Sequence, residues 1–598
     1  MQSTLRKVKD DLHVHARALP GTGGVLGINN EDARHRKHET GARKGTIMKH
    51  LHQASGKRRI PALKAADGTR NARRDARGRA VASSTGAVVG FAAAAALVVG
   101  FGGGAAGMAV LRATSTGSGA NGTITNQMGG MGGADTMSYD YTGTYTAALT
   151  ADGKEVTSDG ETTSATSSDQ NAALAQNGGT LAITDGTLTK SGDSDNADNN
   201  NFYGTNSISL TVGEGSTTAI SGSKLTADSS GSNAVFATDS GTALVNDTTI
   251  ATTGDNSRAL DATYGGTILA GEVTADTQGD HSATVATDRG GGSISLNDAD
   301  LTTAGSGSPL LYSTGDIQVT NVTGTSSGSQ IAGMEGLNTI LIKDSTLTST
   351  ITDKTASDPV ANGVIIYQST SGDAESTTGE HATFQTADST LKSSIQSGSM
   401  FYFTNTTADV VLSNTTLDFD SSKAALITAA GNDANNWGSA GSNGATVTFT
   451  GRNQTLEGTV SADTISSVTL NLLDGSTWTG SASITENASA TDDAKTDAPI
   501  TVNVDGSSTW VVTDDTTVSA LNVASGGKVV DASGRTVTIT SGGKTVVQGD
   551  SDVTVTVSGD YSTSLPDAAT SDDTELSSDL IDRSAYDNRF GTSTSWSM

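Results

Sequence analysis

The feature that most constrains this chain is one unit written about three and a half times between residues 232 and 321. SNAVFATDSGTALVNDTTIATTGDN (232–256) is followed by SRALDATYGGTILAGEVTADTQGDH (257–281), SATVATDRGGGSISLNDADLTTAGSG (282–307) and SPLLYSTGDIQVTN (308–321). Matching threonines at Thr238, Thr263, Thr287 and Thr314 lie 25, 24 and 27 residues apart. Each unit holds three short runs of β-forming residues separated by Gly, Asn, Asp or Ser. A fixed period of about 20–30 residues built from strands and turns is the mark of a solenoid, in which each repeat buries its apolar face against its neighbours.

Composition fits a narrow coil better than a globular core. Hydrophobic residues make up 34% and aromatics 4%, with 72 glycines but only six prolines. Regular Val/Ile/Leu alternation argues against disorder. The absence of cysteine excludes disulfides, thiolate metal sites and thiol catalysis.

Charge divides the chain. Residues 1–80 carry 19 Lys/Arg against 7 Asp/Glu, and the other 518 carry 17 against 57, so the net charge of -28 is a sum of +12 and -40. Residues 1–79 read as a basic disordered region. Residues 80–111 lack charge and centre on VVGFAAAAALVVGFGGGAAGMAV (88–110), the layout of a signal peptide or signal-anchor helix behind a basic flank. Met48 is an alternative start to Met1. Residues 112–138 read as a flexible Gly/Ser/Thr linker. The parallel β-helix is expected over 139–444, with YDYTGTYTAALTADGKEVTS (139–158) as a capping segment. A C-terminal β section continuing the stack is expected over 445–562, where Trp478 and Trp510 echo each other. Residues 563–598, acidic and without periodicity, read as a disordered tail.

The units GTALVNDTTIATTGDN, GTILAGEVTADTQGDH and GSISLNDADLTTAGSG resemble the right-handed parallel β-helix proteins, of the kind found in pectin-lyase-like enzymes and bacterial adhesin or autotransporter passengers. The resemblance is architectural and covers roughly residues 140–560. It implies an all-β fold and a location outside the cell or at its surface, anchored by residues 80–111 if that segment is retained. No series of amphipathic strands of about 10 residues follows the solenoid, so the likeness is to a passenger without its barrel.

In such a stack, equivalent residues of successive coils lie about 4.8 Å apart, so columns carry the functional information. With residues 234–238 as reference, Val235/Ala237, Leu260/Ala262, Thr284/Ala286 and Leu311/Ser313 form the expected inward face. Phe236, Asp261, Val285, Tyr312, Tyr367 and Tyr402 then face outward. Asp261, Tyr312, Tyr367 and Tyr402 are the ligand-binding candidates: the tyrosines stack on sugar rings while Asp261 accepts hydrogen bonds. The alternative is that these rings pack beneath inserted loops.

An enzyme on this architecture implies acidic residues beside a cation. Asp239 and Asp288 occupy matching positions with Tyr264 between them, and Arg289 adjoins the second, which makes Asp239, Asp288 and Arg289 the catalytic candidates. Two coils, roughly 9–10 Å at the strand spacing, separate the carboxylates too widely for one Ca2+ held at about 2.3–2.6 Å. Ca2+ is the one cofactor with any sequence support, yet SGDSDNADNNN (191–201) fails the EF-hand pattern, since positions five, six and twelve from Asp193 are Ala197, Asp198 and Gly204. No metal site is expected. The acidic body argues against nucleic acid as a partner. The leading expectation is a non-catalytic, adhesin-like surface protein that binds polysaccharide or another cell-surface component; a polysaccharide lyase or glycoside hydrolase and a structural stalk are the rivals.

Overall fold

The computed structural model describes residues 138–369, 380–435 and 437–598. The basic N-region, the apolar segment 80–111 and the linker up to residue 137 lie outside these residues. Among the described residues no helix is long and apolar enough to cross a membrane.

Each coil must bend sharply between short strands, and the sequence supplies a residue for the bend. Twelve stacked coils place one left-handed residue at the same corner, from Gly160 (φ 66°) through Asp185, Asp247, Asp298, Asn321 and Asp388 to Asp474 (φ 56°). Nine of the twelve are Asp or Asn, the side chains that best tolerate this conformation; Gly160, Gly222 and Glu272 complete the column. The Asp and Asn punctuation of the repeat is therefore a backbone requirement, repeated once per coil.

Strands between the corners pair in parallel with the next coil. Thirteen of them, from Ala147–Asp152 to Ala482–Thr485, form one face. A second ladder begins at Glu155–Asp159 and ends at Tyr561–Ser562, its long strands such as Thr242–Thr252 bending at the left-handed corner onto a third face. Inward residues stack by column: Ile220, Val245, Ala270, Leu296, Val319 and Ile342 are all buried. Each larger aliphatic side chain in such a column contributes about 2 kcal/mol on burial. The interior widens toward the middle, where Phe384, Phe401 and Phe449 meet edge to face. This is a parallel β-helix.

Register differs from the threonine match in the third unit. Leu260 pairs with Val285 and Asp261 with Ala286, so Val285 is inward and Ala286 outward, one residue from the expectation. The reason is a serine column at the preceding corner. The amide of Ser257 donates to Ser282 Oγ (2.9 Å) and that of Ser282 to Ser308 Oγ (2.8 Å), which fixes these serines, not the threonines, as equivalent.

Beyond residue 444 the stack continues. Trp478 pairs with Trp510 in a four-stranded sheet, their rings stacked at 4.8 Å and 12°, and the indole N–H groups donate to Gly458 O and Gly480 O. The stack ends in a small mixed sheet with an antiparallel hairpin, Thr538–Ser541 and Lys544–Val547.

Residues 563–598 are not the disordered tail that their composition suggests. They turn back from the last coil and run along the outside of the second ladder as a strap. Arg452 Nε donates to Thr574 O (2.6 Å), and its guanidinium pairs with Glu575. The side-chain amide of Gln385 accepts from Ser577 N (2.7 Å) and donates to Glu575 O (3.1 Å). Gln318 repeats the arrangement with Ile581 N (2.8 Å) and Asp579 O (3.2 Å). Arg583, 3% exposed, donates to Ser295 O, Ser295 Oγ and Ala270 O. The short helix α1, Ser584–Phe590, then seats Tyr586 on Ala219, Leu244 and Leu269, with its hydroxyl donating to Asn246 Oδ1 (2.6 Å). Gly271 makes the room: a Cβ there would lie 2.3 Å from the Tyr586 hydroxyl. Gly271→Val is therefore expected to undock residues 581–594 while the coils persist, since Val suits a strand. Hydrogen exchange would read this as lost protection in the strap against unchanged protection in Gly266–Thr277 and its neighbours.

Candidate binding surface

The outward column of the thirteen-stranded face reads Leu210, Phe236, Asp261, Ala286, Tyr312, Gly333, Ile365, Tyr402 in successive coils. Tyr312 and Tyr402 thus share the expected column. Tyr367 stands two residues along, over Glu335, on the same face but in the neighbouring column. All are covered. Tyr312 is 6% exposed, Tyr367 4%, Tyr402 2% and Asp261 0%.

Inserted loops do the covering. Trp437 stacks on Tyr367 at 4.1 Å, and Val360, Ile365 and Tyr402 complete that cluster. The hydroxyls of Tyr312 (2.8 Å) and Tyr367 (3.0 Å) both donate to Glu335 Oε2, and Ser369 donates to the other carboxylate oxygen. Burial, with Glu335 beside them, pushes both phenols well above their ordinary range, and burial pushes Tyr402 up to about 12. As seated here, these rings hold loops to the coil and present no face to a sugar.

The catalytic candidates are held in separate roles. Arg258, 2% exposed, bridges Asp261 Oδ2 (3.1 Å) and Asp288 Oδ2 (2.9 Å). Arg289 lies over the Phe202 ring at 3.8 Å, a cation–π contact. Asp239 aligns with Tyr264 and Arg289, because Ala237, Ala262 and Thr287 are paired; Asp288 instead follows Thr238 and Thr263 in its column. Asp239 and Asp288 therefore stand in neighbouring columns rather than one, and the Arg289 amide donates to Asp288 Oδ1 (2.9 Å). The buried cation Arg258 escapes sequence reading because its cover includes Asn201, 57 residues earlier, which no local pattern records. Among the described residues, no cluster of three or more His, Asp or Glu side chains is arranged to hold a metal ion.

What remains accessible is a tyrosine cluster over the first coils. Five of the chain's ten tyrosines meet there: Tyr139, Tyr141, Tyr145, Tyr203 and Tyr264. Tyr203 closes the helix α2, Ala197–Tyr203, which is capped by the Asn196 side chain accepting from Asn199 N (3.0 Å) and ended by left-handed Gly204. Tyr203 and Tyr264 are parallel at 5.5 Å and 2°, Tyr141 lies on Tyr203 at 5.1 Å, and Tyr139 meets both Tyr203 and Tyr264 edge-on at 5.6 Å. Tyr145 turns inward, its hydroxyl donating to Tyr203 O (3.0 Å), while Tyr139 and Tyr145 pack against Leu174, Leu210, Val212 and Phe236. Tyr139, Tyr141 and Tyr203 stay half-buried, and the Tyr203 hydroxyl donates to exposed Asp140. Burial raises Tyr139 to about 12, so its phenol stays protonated. The YDYTGTY run (139–145) is the signal for this cluster, and only the fold brings Tyr203 and Tyr264 to it.

No family model matches the chain, and no curated protein matches it. Among solved structures, a chain of the cryo-EM structure of the Vag8–C1 inhibitor complex is similar at 13% identity, covering 70% of this chain and 92% of that one, with a TM-score of 0.32.

Burial raises Asp261 to about 7 despite Arg258, since a second carboxylate, Asp288, shares that guanidinium. Burial likewise lifts Asp316 and Asp358 to about 7. A carboxyl whose folded value lies above its unfolded one contributes stability fully present below about pH 4 and lost as pH rises through about 7. The urea midpoint is expected to fall between pH 5 and pH 8 on account of these groups, and Asp261→Asn to flatten that dependence. Arg258→Met, leaving two buried carboxylates without their cation, is expected to cost about 3–5 kcal/mol near neutral pH.

Proposed function

We propose that this chain is a non-catalytic, adhesin-like protein of the cell exterior, which binds carbohydrate through the half-buried rings of Tyr139, Tyr141 and Tyr203, backed by buried Tyr264. One observation carries the reading: half of the tyrosines gather in one cluster of a chain otherwise poor in aromatics, and Tyr139, Tyr141 and Tyr203 form its partly exposed side. Phenol faces pack against the C–H faces of a sugar ring, and their hydroxyls, with Asp140 alongside, offer donors and an acceptor to its hydroxyls. Aromatic side chains with a polar tip give large contact area at little conformational cost. A right-handed coil, secretion through residues 80–111 and retention there as an anchor belong to the same proposal. The lyase or hydrolase reading has less support, because Asp288 is engaged by Arg258 and Arg289 by Phe202.

A glycan array probed with the full chain tests this. Binding without product release is expected. Tyr141→Ala and Tyr203→Ala are each expected to weaken it about five- to tenfold, as loss of one stacked ring does at about 1–1.4 kcal/mol. Released oligosaccharide would replace the reading with an enzyme, and binding indifferent to both substitutions would move the site elsewhere.

A further inference from the structure

The strap is a peptide seated in a groove, and the groove reads it by three devices. Gln318 and Gln385 each accept from one backbone N–H and donate to the carbonyl two residues earlier, so they hold an extended chain without regard to its side chains. Ser295 and Ala270 present carbonyls to the Arg583 guanidinium, which also lies 4.5 Å over the Tyr586 ring. Gly271 leaves space for one phenol hydroxyl, which Asn246 accepts. Arg and Tyr anchors in desolvated pockets are the usual carriers of interface affinity.

Net charge does not favour the strap: residues 563–598 carry seven Asp/Glu and two Arg, and they lie on a body of the same sign. Docking therefore rests on directional hydrogen bonds, the single Arg452–Glu575 ion pair and the two anchors, all of them joining residues far apart in sequence. None of these contacts depends on the chain connection between strap and body. That connection is residues 563–566, exposed but for half-buried Leu565, leading out of the last strand, Tyr561–Ser562.

We propose that the strap is exchangeable: the groove accepts residues 571–594 of a second copy of this chain, and two copies embrace through their C-terminal segments. The same anchors are satisfied in either arrangement, so exchange requires only that the short connection open and the partner be present. A reciprocal exchange gives an isologous pair, each copy offering the same groove and the same strap.

Two full-length variants separate exchange from a purely internal clasp. Gly271→Val blocks its own groove against Tyr586 and frees residues 581–594 with both anchors intact. The double variant Arg583→Ala, Tyr586→Ala has an open groove and a strap without anchors. Light scattering is expected to give one chain's mass for each alone and two chains' mass for the mixture. Single-chain mass in the mixture, with both variants retaining the β circular dichroism of the parent, would overturn the proposal. The parent sequence gives an independent reading, since its lack of cysteine leaves engineered thiols unique. A donor at Ser597→Cys on one chain and an acceptor at Thr302→Cys on another, both exposed positions, are expected to develop energy transfer on incubation. Adding Arg583→Ala to the donor chain should abolish it. Absence of transfer between the parent chains would equally sink the idea.

Discussion

The left-handed corner is the constraint on which the rest depends. From Gly160 to Asp474 one residue per coil takes a backbone conformation that most side chains resist, and it does so at the same place each time, which keeps the strands on either side in register. Asp247, Glu272 and Asp298 stand directly above one another for this reason. Once the corners are stacked, the ladders on three faces follow, and so does the alternation of inward and outward residues. The interior then needs only side chains of suitable size, which explains how a chain with so few aromatics fills a core.

Outward residues face a different demand. A column on a coil's outer surface is either wetted or covered, and this chain covers much of it with its own loops. Asp261, Tyr312 and Tyr367 illustrate the result: polar groups taken out of water, with Asp261 meeting Arg258 through one carboxylate oxygen and both phenols donating to Glu335. Such networks are costly when incomplete and specific when complete. Here they fix loops to the coil at defined heights, and the tyrosine cluster is the part of that covering left open to solvent.

Much of this was legible in the sequence. The period, the inward columns of the first two units and the Trp478–Trp510 echo all reflect side chains that meet their own equivalents one coil away. Register in the third unit was not, because Thr287 matches its neighbours by identity while Ser282 matches them by hydrogen bonding, and only the second is a contact. The tyrosines could be read either as sugar-stacking rings or as rings packed beneath inserted loops, and the sequence does not choose: burial by a loop depends on where the loop returns, which no periodicity records. The strap is the clearest case. Its Ser and Asp content resembles a solvated tail, yet its docking uses its backbone and the side chains of Arg583 and Tyr586, and backbone recognition leaves no trace in composition.

The path of the strap also bears on how the protein carries load. A pull applied at residue 598 reaches the clasp on the coils near Asn246 and Asn297 before it reaches the end of the stack. The clasp would peel first, one anchor after another, and release about 100 Å of slack from its roughly three dozen residues before any coil were stretched. The segment is in this sense a mechanical fuse, extensible and able to reseat once tension is relieved, in series with a stack whose ladders would not re-form so readily.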